Sequence, residues 1–87
     1  MDIRDATRMI LTESADYPEL LRITQHSYEA LSAGREVPYT VLNGVLAEAS
    51  REDVLGTLKE RYGEEAVRDM VAALTREIDR QAPVAQR

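Results

Sequence analysis

The sequence predicts an all-α fold, a single small domain built as a bundle of four or five short helices. Three observations carry that prediction. Apolar residues recur at three- and four-residue spacing along most of the chain. Gly34, Gly63, Pro18 and Pro38 fall between those periodic runs. No two segments read as β-strands that could pair, and a lone strand has no partner for its backbone.

The first helix is expected over residues 2–13. Asp2 can cap it, and Ile3, Ala6, Met9 and Ile10 fall on one face. Pro18 biases Tyr17 away from helical angles, so this helix should stop before it. A second helix then runs over about residues 17–33. Asp16 and Glu19 have capping-box spacing, with Pro18 in the first turn. Leu20, Leu21, Ile23, Thr24, Tyr28 and Leu31 supply its stripe, and Gly34 is the expected stop.

Residues 34–38 read as a loop, with Pro38 opening a third helix. Tyr39, Leu42, Val45, Leu46 and Ala49 would share its face. Val37, Tyr39, Thr40 and Val41 have strand propensity, and Gly44 costs about 1 kcal/mol inside a helix relative to Ala. Helix still wins, because no second strand exists to pair with. Gly44 is expected to mark the close approach of a neighbouring helix.

The fourth helix should open at Ser50, with Asp53 at capping distance, and close at Gly63. Val54, Leu55, Leu58 and Tyr62 form its apolar face. The fifth helix begins near Glu64, where Glu64 and Glu65 complement the helix dipole. Val67, Met70, Val71, Leu74 and Ile78 give it the cleanest stripe in the protein. Glu64–Arg68, Glu65–Arg68 and Glu77–Arg80 are spaced to pair along its surface. The helical domain is thus residues 1–81, and residues 82–87 should fray. Helices two and five should be the longest.

Composition limits function. The chain has 87 residues, which surface scaling places at about 64% burial, enough for one modest core. It holds no Trp and no Phe, so Leu, Ile, Val, Met and Ala must do the packing. With no Cys, disulfides, thiolate catalysis and Cys-based zinc sites are excluded. No apolar run approaches a membrane span. The opening Met-Asp-Ile-Arg-Asp lacks the order of a signal peptide, so a cytoplasmic location is expected.

Catalysis has little to work with. His26 is the single histidine. Arg22 and Glu29 lie on its helical face, but Ser27 points about 100° away. The ordinary reading is a surface histidine. Scattered carboxylates and isolated glycines make neither a calcium loop nor a phosphate loop. The protein is therefore expected not to be an enzyme and to need no metal or cofactor.

The net charge of −5 opposes nucleic-acid binding, since the basic residues are spread along the chain. The alternative is a dimeric DNA-binding regulator of helix-turn-helix type using residues 39–62. Arg51, Lys59 and Arg61 would have to align on one face, and Glu52 and Asp53 would repel phosphate. The leading expectation is a small acidic protein-binding module: a regulator, adaptor or inhibitor, possibly self-associating. Its partner would be another protein. The candidate binding residues are Arg35, Val37 and Tyr39, where Arg and Tyr are favoured interface anchors beside a rigid proline.

Overall fold

The computed structural model describes residues 1–82. Five helices follow one another: α1 (Ile3–Thr12), α2 (Pro18–Ser32), α3 (Tyr39–Ala49), α4 (Glu52–Tyr62) and α5 (Glu64–Gln81). Among the described residues there is no strand, and α2 and α5 are the longest elements. Of the expected tail, residues 82–87, Ala82 is the C-cap of α5, and residues 83–87 lie outside the described residues.

Each boundary has a chemical cause. Asp2 caps α1 as expected, its Oδ1 accepting from the Asp5 amide at 2.8 Å. At the end of α2, Gly34 has φ +77°. The Gly34 amide donates to Leu31 O at 3.0 Å and the Arg35 amide to Ala30 O at 2.9 Å. Together these two bonds form a Schellman motif. Gly63, at φ +89°, ends α4 and is also the residue from which α5 starts, so α4 and α5 meet at a single left-handed residue.

Two expected caps are absent. Tyr17, not Asp16, is the N-cap of α2, and no side chain bonds there. Pro18 at the first helical position carries no N–H, so one amide needing a cap is already missing. Glu19 instead pairs with Arg22. Ser50 ends α3, Arg51 is the N-cap of α4, and the Asp53 carboxylate accepts from the Val54 amide at 2.9 Å.

Helices α1, α2, α3 and α5 close a ring in which each packs against two neighbours. α4 packs chiefly on α5 and touches α3 lightly. The core lies inside the ring and under α4. Ile10, Leu20, Leu42, Val45, Val54, Leu58, Met70 and Leu74 are its largest fully buried apolar side chains. Ala6, Ala30, Ala49 and Ala73 are buried with them. No aromatic ring is fully buried; Tyr17 and Tyr62 pack half-buried at the margin, where their hydroxyls find partners.

The buried face of α2 is smaller and more polar than its sequence stripe suggested. Leu20, Thr24, Ser27 and Ala30 are buried, while Leu21, Ile23, Tyr28 and Leu31 are half-buried. The Ser27 hydroxyl returns to Ile23 O at 2.9 Å, and that of Thr7 on α1 to Arg4 O at 2.9 Å. Thr24 Oγ1 is buried without a partner. Gly44 marks no forced approach: a Cβ there would meet Ile23 Cδ1 at 3.9 Å, an ordinary contact.

Candidate functional site

The loop between α2 and α3 is braced rather than free. The Gln81 side-chain amide donates to Val37 O at 2.8 Å. Glu36 pairs with Arg80, which also holds Glu77 at 2.5 Å. Both anchors come from the last turn of α5. Arg35 is exposed, and Tyr39 is half-buried. Val37, however, is only 2% exposed and belongs to the core. Its expected role as a surface anchor is therefore corrected. Held between the Gly34 turn and Pro38, the one aliphatic side chain of the loop is better placed against the bundle than in water. The three-residue anchor is interrupted at its middle.

The residues around His26 are engaged elsewhere. His26 is exposed on α2. Arg22 bonds Glu19, and Glu29 accepts from Gln25 at 3.2 Å. Among the described residues no three of His, Asp and Glu gather as metal ligands, and no helix is long and apolar enough to cross a membrane.

The cations of the helix-turn-helix alternative do not share a face. Arg51 is held by Glu48 at 3.1 Å and Asp53 at 3.0 Å. Hydrogen bonding to Glu48, with the charge of Asp53, raises the pKa of Arg51. Arg61 lies 3.8 Å from Glu13. Lys59 and Arg61, two residues apart on α4, point about 200° apart around it.

A different surface stands out, and sequence reasoning missed it. A groove of about 840 Å³ runs between α4 and α5. Its apolar lining is Leu55 from α4 with Val67 and Val71 from α5; Val67 is buried, and the other two are half-buried. Ala72 and Thr75 are exposed along the α5 side. The charged margin comprises Lys59, Glu64, Arg68, Asp69 and Arg76.

The groove follows from how α4 docks. Val54 and Leu58, four apart, are the α4 residues that are fully buried. Leu55 lies about 100° from Val54 around the helix, which turns it to the edge of the seam. Val71 occupies the matching edge of α5, where Val67, Met70, Ala73 and Leu74 take the buried positions. Both residues belong to apolar stripes in the sequence. Only the position of α4 on α5 reveals that they are half-covered.

Charge pairing around the groove is incomplete. Arg8, Arg22, Arg51, Arg61 and Arg80 each have a carboxylate within 4 Å. Glu77–Arg80 forms as the spacing predicts, but neither Glu64 nor Glu65 reaches Arg68. Exposed pairs of this kind gain only a few tenths of a kcal/mol, which is too little to fix two long side chains. Arg68 and Lys59 thus line one apolar groove from opposite helices, each without a carboxylate partner among the described residues. Arg76 donates to Met1 O at 2.9 Å.

The fold and groove define a small helical bundle with an open helix–helix seam. Comparison with known protein families, curated proteins and solved structures finds no significant match for the chain.

Proposed function

We propose that this protein is a small acidic protein-binding module, acting in the cytoplasm as a regulator, adaptor or inhibitor, and that it receives a helix of its partner in the α4–α5 groove. The observation that carries this reading is the groove itself: an open groove between two helices, with Leu55, Val67 and Val71 as its apolar lining. Helix-in-groove recognition uses such a groove, with anchors at i, i+3 or i+4 and i+7 of the incoming helix. The core has no fully buried aromatic side chain, and a bound helix would add apolar burial to a bundle of modest core. Arg35 on the braced loop and Tyr39 at the start of α3 are proposed as a second, smaller contact for the same partner. A second copy of the chain is the self-associating form of the same idea.

The test is comparative capture from native cell extract. Tagged wild-type protein, Ala72→Arg and Arg35→Ala are used side by side. Ala72 is exposed on the groove's α5 side, so the bulky arginine blocks the channel without touching the core. A specific co-purifying protein is expected with wild type and with Arg35→Ala at reduced yield, and lost with Ala72→Arg. Equal capture by all three would remove the groove from the function.

A further inference from the structure

We infer that the occupant of the α4–α5 groove is an acidic amphipathic helix of another protein, its apolar stripe on Leu55 and Val71 and its carboxylates against Lys59 and Arg68. This rests on the proposed protein-binding role and adds the chemistry of the partner.

The charge pattern supports it in three steps. First, the chain carries a net charge of −5, yet the groove margin holds three cations and two acids. Surface charges further away than about 8 Å are largely screened at physiological salt, so the margin and not the net charge decides what docks. Second, the two acids are poorly placed to satisfy the cations. Glu64 sits in the first turn of α5, where the helix dipole already complements it. Asp69 follows Arg68 directly and so points about 100° away from it around α5, while Arg76 is engaged by Met1 O at 2.9 Å. Third, Lys59 and Arg68 line the groove from opposite helices and have no carboxylate partner among the described residues, so an incoming Glu on either side of a leucine stripe meets one of them. Arg68 further offers a planar fork matched to carboxylate geometry.

A second copy fits less well. Two-fold pairing sets a surface against itself, so a margin with three cations and two acids would meet its own excess of positive charge. It would also bring two chains of charge −5 together.

The experiment uses two labelled helical peptides with one shared leucine stripe, flanked by Glu in one and by Lys in the other. Fluorescence anisotropy is recorded with the full chain and with a Lys59→Glu, Arg68→Glu double variant, whose fold is checked by circular dichroism. Both side chains are exposed, so the variant should fold. The Glu peptide is expected to bind wild type at least about tenfold more tightly than the Lys peptide, with the preference reversed in the double variant. Equal affinity for the two peptides, or binding of neither, overturns the inference. So does a concentration-dependent dimer in sedimentation that the double variant abolishes, since the occupant would then be a second copy. If Ala72→Arg loses the natural partner but the double variant keeps it, the protein-binding role stands and the acidic-helix inference falls.

Discussion

The phenol of Tyr62, the last residue of α4, donates to the Glu13 carboxylate just past the end of α1 at 3.1 Å. Glu13 also lies 3.8 Å from Arg61. Burial first, then the bond to Glu13, raises the pKa of Tyr62. This contact joins two helices 49 residues apart in sequence. It matters because α4 packs chiefly on α5 and forms one wall of the groove. A second tie comes from Tyr17, whose hydroxyl is 3.1 Å from Thr57 Oγ1. Thr57 itself donates to Asp53 O, which leaves Tyr17 as the donor.

Tyr62→Phe should therefore lower stability by about 1 kcal/mol, the usual net value of one such bond. For a domain of this size that corresponds to about 4–8 °C in melting temperature. Thermal melts followed by circular dichroism check it. An unchanged midpoint would mean that the Tyr62–Glu13 bond does not help to hold α4.

Thr24→Val should leave stability unchanged or raise it by up to about 1 kcal/mol, because it removes a buried hydroxyl that has no partner at nearly constant volume. Urea titration measures this. A loss above about 1 kcal/mol would show that the hydroxyl is satisfied in solution.

Gly44→Ala and Gly56→Ala should each stabilise by about 0.5–1 kcal/mol. Both glycines are inside helices. A methyl group at Gly56 meets nothing within 4 Å, and one at Gly44 makes ordinary contact. The double variant should melt higher than either single one, since the sites are on different helices. Destabilisation at Gly44 would reveal tighter α2–α3 packing than a 3.9 Å contact implies.

Acid should loosen the brace on the α2–α3 loop. Hydrogen bonding from Arg80, aided by Gln81 and opposed by burial, holds the Glu77 pKa below its ordinary value. A carboxylate whose folded pKa is depressed stabilises fully above its unfolded pKa of about 4.3, and that share is lost as pH falls through the folded value. Melting temperature should drop on acidification below about pH 5, and less steeply in Glu77→Gln. Parallel slopes for wild type and variant would exclude Glu77 as a contributor.

Helix number, order and the longest elements could be read from Gly34, Gly63 and the two interior prolines, because backbone chemistry at these points acts locally. The caps at Asp16 and Ser50 could not. A side chain of the right type caps only if the chain enters the helix there, and Pro18 and Arg51 move the entry by one residue. Val37 was misplaced for a related reason. A loop residue flanked by Gly and Pro has no periodicity to mark its inner face, and the Gln81 amide that pins its carbonyl is 44 residues away. The groove was legible only in part. Leu55 and Val71 are visible as apolar, but their half-exposure depends on how α4 lies on α5. Arg68 had two acidic neighbours at pairing distance in sequence, and only the structure shows that neither reaches it.

Site-specific photo-crosslinking tests the central claim most directly. Benzoylphenylalanine is placed at Ala72 beside the groove, and in separate chains at Arg35 on the loop and at His26 on α2. Each is expressed in the native cell and irradiated. The account predicts a discrete higher-mass adduct from position 72 containing a different protein, a weaker one from position 35, and none from position 26. An adduct from position 26 with none from position 72 would contradict it.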